Sequence, residues 1–170
     1  MKVTQKACAI ALFCLMSGLS ISLARADATA ATLSLTGTWT LVAADVLHAD
    51  GTRARDYGAA PKGLLLIDAQ GHYSLQIFKA ERPRFASGDK STGTPAEFEA
   101  AVVGSSTHFG TINADPESGT LTFQIESASF PNWEGALQKR HYELTGDELS
   151  YRVPARPDGN TPISIWRRLR

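Results

Sequence analysis

The sequence predicts an all-β fold: an eight-stranded antiparallel up-and-down barrel with one short helix. Three observations point there. Eight extended segments of alternating character recur at short spacing. Each is bounded by Gly, Pro, Asp or Asn, and most are joined by tight turns that suit an antiparallel meander. Eight such strands without strong edge protection are best satisfied by closing on themselves, which removes the edges altogether. Eight strands leave an interior just wide enough to fill with side chains or to hold one small ligand. A two-sheet sandwich is the alternative.

The first strand is expected over residues 37–48, ended by Ala49-Asp50-Gly51. Segments 63–68 and 71–79 follow, joined by Ala69-Gln70, with Gly71 suited to the positive φ of a hairpin bulge. The helix comes next. Thr94-Pro95-Ala96-Glu97 is a capping box with Pro at the first helical position, and it satisfies orphan backbone N–H groups from both ends of the box. Phe98, Ala101, Val102 and Ser105 fall on one face, so this helix should end near Gly104 and pack an apolar stripe on the sheet. Strands over 107–114 and 120–128 flank the turn Asp115-Pro116-Glu117-Ser118-Gly119. The last three are 137–145, 148–153 and 163–169; Gly146-Asp147 makes the tightest turn and residues 154–162 a longer Pro/Gly loop. No internal repeat or low-complexity segment interrupts them.

The N-terminus reads as an export signal over residues 1–26. Lys2 and Lys6 precede an apolar run over 7–23, and Ala24-Arg25-Ala26 places small side chains at the −3 and −1 positions of a cleavage site. Cys14 follows Phe13, too bulky for the position before a lipidated Cys. Cys8 and Cys14 both lie inside this segment, so the remaining domain, over 35–170, has no disulfide, no thiol nucleophile and no Cys–Zn site. No membrane span is expected after cleavage, and the location is periplasmic or secreted. The whole chain balances 17 Lys+Arg against 17 Asp+Glu. Without Lys2, Lys6 and Arg25, a mature form starting at Asp27 holds 14 bases and 17 acids, a net charge of −3. That lacks the basic field a phosphate backbone requires, so nucleic-acid binding is excluded as a general activity. At 43% hydrophobic and 20% charged residues the chain is neither disordered nor a membrane bundle.

Alternation suggests which side chains enter the barrel. In 137–145 the set Gln138, Arg140, Tyr142 and Leu144 opposes Lys139, His141, Glu143 and Thr145, and the second set is the solvated one. Arg140 and Tyr142 are therefore expected inside. In 120–128, Leu121, Phe123, Ile125 and Ser127 are expected to face in. In 71–79 neither face is plainly polar, so Gln76 stays a candidate without a fixed parity. A buried guanidinium must be paired or hydrogen-bonded, so Arg140 either meets the carboxylate of an acidic apolar ligand or is satisfied by an internal acceptor. Tyr142 and His108 can add hydrogen bonds beside it. The loop Phe130-Pro131-Asn132-Trp133-Glu134-Gly135 can set Trp133 against a ligand or plug the barrel. The ligand-site candidates are thus Arg140, Tyr142, His108, Gln76, Phe123 and Trp133.

First and last strands pair in such a barrel, so Arg168 can lie over Trp39, closing it by a cation–π contact worth about 0.5–2 kcal/mol. Gly37-Thr38-Trp39 resembles the opening Gly-x-Trp of lipocalins, and the C-terminal Arg is similar to the one covering that Trp. The chain resembles the bacterial and fungal lipocalin-like domain family more closely, through Gly37-Thr38-Trp39-Thr40-Leu41-Val42, Gly71-His72-Tyr73-Ser74-Leu75-Gln76, Arg82-Pro83-Arg84-Phe85, Phe109-Gly110-Thr111 and Ser129-Phe130-Pro131-Asn132-Trp133-Glu134-Gly135. Gln138-Lys139-Arg140 and Gly146-Asp147-Glu148-Leu149 continue the likeness, which covers about residues 36–170. The Thr-Asp-Tyr block of typical lipocalins is absent, and Phe123 stands where members of the lipocalin-like family often carry a His. The resemblance implies a calycin-type barrel that binds a small hydrophobic or amphipathic molecule, and names no ligand.

Signatures of catalysis are missing. There is no His-Glu-x-x-His, Gly-x-Ser-x-Gly, phosphate-binding Gly loop or calcium loop, and His48, His72, His108 and His141 are scattered without metal-ligand spacing. No metal and no cofactor is called for. An isomerase, cyclase or hydrolase acting on a hydrophobic substrate in the same cavity is the alternative, and a filled barrel acting through its loops is a third reading.

Overall fold

The computed structural model describes residues 30, 32 and 34–170; the expected export signal lies outside these. The strands are β1 (Gly37–Leu47), β2 (Arg53–Ala54), β3 (Lys62–Ile67), β4 (His72–Phe78), β5 (Ser105–Asp115), β6 (Thr120–Ala128), β7 (Leu137–Thr145), β8 (Glu148–Arg152) and β9 (Thr161–Arg168). An α-helix, α1 (Pro95–Val103), lies between β4 and β5, and a 3-10 turn covers Pro131–Trp133. From β3 onward each strand pairs antiparallel with the next, β1 pairs with β3, and β9 returns to β1. That last pairing closes an eight-stranded barrel and eliminates the sandwich. β2 is an addition: its two residues ladder onto Val46 and Leu47.

Inward side chains alternate along every strand and build one core, in which Trp39, Leu65, Leu75, Leu121, Phe123, Ile125, Leu149, Tyr151 and Trp166 are almost wholly buried. The parity left open in β4 resolves toward Tyr73, Leu75 and Ile77, all buried. Gln76 therefore points outward, and donates from Nε2 to Ser74 Oγ at 3.2 Å. Three apolar residues outweigh Ser74 and Gln76 in the competition for the core.

Two bulges adjust the register. One falls between Leu41 and Ala43, opposite Trp166 and Ile165. The other faces Gly110: Phe109 pairs with Ser127, but Gly110 pairs with Ile125, leaving Glu126 unpaired. A Cβ at Gly110 would stand 2.0 Å from the Gln124 carbonyl oxygen, so only glycine fits there. This bulge corrects the expected inner face of β6. Leu121, Phe123 and Ile125 are buried as expected, but Ser127 has moved to the outside, where its hydroxyl donates to Glu134 Oε1 at 2.7 Å.

The capping box of α1 forms as written. Glu97 N–H donates to Thr94 Oγ1 at 3.3 Å, and Thr94 N–H donates to Glu97 Oε2 at 2.7 Å. The apolar stripe does not pack on the sheet. None of the helix is buried, and Val102 and Val103 are exposed. Phe98 finds Phe85 instead, edge to face at 5.3 Å.

At one end of the barrel Trp39 is sealed in. Its indole N–H donates to the Leu35 carbonyl at 2.9 Å. Its register partner across β1–β9 is Arg168, whose guanidinium lies 4.0 Å from the ring centroid and donates to the Ser34 and Thr36 carbonyls.

Candidate functional site

The opposite end of the barrel holds a cavity of about 450 Å³. Its walls are mostly apolar: Ala44 and Val46 from β1, Leu75 and Ile77 from β4, Tyr151 from β8, with Tyr57 and Trp133 contributed by loops. Ser106, His108, Gln138, Arg140 and Ser164 supply the neutral and cationic polar lining. The buried Asp45 lines it with its charge already met by Arg53, and the exposed Asp56, Lys139 and Arg156 stand at the mouth. Arg140 and His108 are 6% and 4% exposed, so a positive charge sits here largely removed from solvent.

The polar groups arrive from several strands. Tyr73 on β4 and His108 on β5 are joined through Tyr73 Oη and His108 Nδ1 at 2.7 Å. Arg140 on β7 approaches His108 Nε2 with Nη2 at 3.4 Å and donates from the same nitrogen to Gln138 Oε1 at 2.7 Å. A guanidinium only donates, so the facing Nε2 is the acceptor of the neutral imidazole and the proton belongs on Nδ1, donated to Tyr73 Oη. Burial, and secondarily the Arg140 charge, lower the His108 pKa to about 3, so the ring is neutral at ordinary pH. Burial also raises the Tyr73 phenol well above its usual value, against the opposing pull of Arg140.

Arg140 has no carboxylate partner among the described residues. Its guanidinium lies over Phe123 at 4.1 Å and over Tyr151 at 4.9 Å. Those rings stabilise the cation without neutralising it. Nε and the Tyr151 hydroxyl are buried without any hydrogen-bond partner. Trp133 closes one side, edge to face with His108 at 6.1 Å and with Phe130 at 5.5 Å.

Of the six candidates read from the sequence, the fold brings Arg140, His108 and Trp133 to the cavity lining, with Phe123 as the floor beneath the guanidinium. Gln76 is on the outer face, bordering a shallow groove of about 260 Å³ with Ser74 and Phe109. Tyr142 shares Arg140's inward face but does not line the cavity. Two residues along a strand is about 7 Å, which sets it near the turn at the other end, where its N–H donates to the Gly119 carbonyl. Burial, with Asp115 adding to it, raises its pKa. Tyr73, Gln138, Tyr151 and Ser164 were not singled out. Tyr151 was recoverable, because it alternates with polar neighbours in its strand; Tyr73 was not, because both faces of β4 carry apolar residues.

A second hollow of about 460 Å³ lies outside the barrel, beside β1 and the segment at 53–61. Its buried Asp45 is already paired with Arg53 at 2.6 Å, and its other cation, Arg55, is exposed. Among the described residues no group of His, Cys, Asp or Glu could hold a metal ion, and no helix is long and apolar enough to cross a membrane.

The sequence pattern of a lipocalin-like domain matches residues 36–169. No curated protein sequence matches the chain. Among solved structures, a lipocalin-like protein from Bacteroides uniformis is similar at 14% identity, over 81% of this chain and 99% of that one, with a TM-score of 0.42.

Proposed function

The chain belongs to the lipocalin-like domain family, and from that premise we propose that it is exported and binds a small hydrophobic or amphipathic molecule in its central cavity. The observation that carries this reading is the cavity itself. About 450 Å³ stays unfilled inside a barrel whose other end is packed with Trp39, Trp166 and Leu149. Pre-formed, largely apolar hollows of this size with a few convergent polar groups are how proteins hold small ligands. Export is supported by the residue pattern of 1–26.

One measurement reads both parts. Native mass spectrometry of the protein from a periplasmic or culture-medium fraction should give the mass of a chain starting at Asp27 plus a bound organic molecule. Ala44→Phe, which fills the cavity from β1, should return the bare mass with an unchanged far-ultraviolet spectrum. A wild-type barrel that carries nothing and takes up no apolar probe would end the binding reading.

A catalyst working in the same cavity, an isomerase, cyclase or hydrolase, is the second reading. It is favoured by the neutral imidazole of His108 set beside the Arg140 cation. Binding accounts for the site better, because both ring nitrogens of His108 are already engaged and a group with a pKa of about 3 is a weak base.

A further inference from the structure

We infer that the cavity's ligand is an apolar monocarboxylate, its carboxylate seated on Arg140 and its body running past Trp133 to the mouth; this rests on the cavity reading above. The warrant is a charge imbalance. The described arginines that carry ion pairs (Arg53, Arg167, Arg168 and Arg170) all meet an Asp or Glu at or near the surface. Arg140 is the deeply buried one, and its partners are a neutral amide, a neutral imidazole and two aromatic faces.

Stabilisation by amide and ring leaves the positive charge in a low-dielectric corner, where an unmatched ion is costly. An anion entering the cavity removes that cost. Nη2 is taken by Gln138 and Nε is shut off from the cavity, so Nη1 is the donor left for a ligand. One donor and one buried positive charge fit a monoanion. A dianionic phosphate ester would bring a second negative charge that no cation beside Arg140 meets, since His108 stays neutral, Asp45 is itself anionic, and Lys139 and Arg156 stand only at the mouth. The apolar walls and Trp133 then ask for a hydrocarbon body, aliphatic or planar, within about 450 Å³.

The test compares acids with their own alcohols on the full domain: decanoate against 1-decanol for a flexible body, and 2-naphthoate against 2-naphthylmethanol for a planar one. Affinity is read by calorimetry or by Trp fluorescence. In at least one pair the acid should bind about tenfold or more tightly than the alcohol, the scale of a hydrogen bond to a charged group. Arg140→Met should bring that ratio close to one, and Arg140→Lys should keep a preference for the acid. Should Arg140→Met not fold, the wild-type protein still decides the matter. The acid's advantage must fade as pH drops through the free carboxylic acid's own pKa, about 4–5 for the two acids. Acid and alcohol binding equally would overturn the carboxylate and leave the cavity reading intact. Neither member of either pair binding would overturn both.

Discussion

Two arginines show how one residue type is used in opposite ways. Arg140 is buried beside a cavity with no counter-charge, whereas Arg168 is a clasp. Its side chain lies over Trp39, reaches two backbone carbonyls of the segment before β1, and comes within 3.8 Å of Asp147. The clasp ties the end of β9 to the start of β1, where the cylinder must close. Replacing Arg168 by Met keeps the bulk over the indole but loses the cation and its donated hydrogen bonds. Destabilisation of about 2–3 kcal/mol is expected, summing a partly exposed cation–π contact and the carbonyl bonds. Urea unfolding followed by Trp emission would measure it. A loss under about 0.5 kcal/mol, the level of an ordinary surface change, would mean that backbone pairing alone holds the seam.

The strands and the helix differ in what makes them legible. All eight barrel strands follow the alternation and turn signals to within two residues at each end, because burying one face of a pleated strand enforces a period of two. What escaped was set by the neighbouring strands and not by the segment's own residues. β2 exists only because β1 runs on past its pairing with β3, leaving Val46 and Leu47 a free edge. Ser127 left the inner face because of a bulge whose requirement, a bare Cα at Gly110 against the Gln124 carbonyl, belongs to the neighbouring strand. Helix α1 was visible through its cap, which is local, but its stripe depended on what the sheet offered, which is not. That division makes a prediction. Thr94→Ala removes an N-cap worth about 1 kcal/mol to the helix, yet no side chain of α1 is buried. Amide exchange at residues 98–103 should speed up several-fold while global unfolding moves by less than about 0.5 kcal/mol, because the helix opens as its own unit. An equal loss in both would show α1 coupled to the barrel.

At the scale of the whole molecule, the candidate site was legible in its parts and not in its assembly. Arg140 and His108 were each visible from alternation or chemical type, but their meeting depends on the curvature that brings β5 and β7 around the same lumen on either side of β6. Tyr73 joined them only once the parity of β4 was settled. The assembled cluster couples folding to pH. His108 titrates near 6.5 when unfolded and is lowered to about 3 in the fold, first by burial and then by Arg140. The unfolded chain therefore binds the extra proton between those values. Stability from this group is fully present above about pH 6.5 and is lost as pH falls toward 3, at up to about 1.4 kcal/mol per unit. The ring is partly reachable from the cavity, so the realised slope should be smaller. Surface carboxylates such as Asp68 and Asp115, held low by hydrogen bonds, titrate in the acid part of this range too, so the wild-type slope alone does not isolate the ring. His108→Gln does, because it keeps hydrogen-bonding capacity beside Tyr73 and Arg140 but cannot take up the proton. Urea midpoints measured from pH 7.5 to 4.5 should fall more steeply for the wild type than for His108→Gln. Parallel lines would place the imidazole in a wetter, less perturbed setting than this barrel gives it.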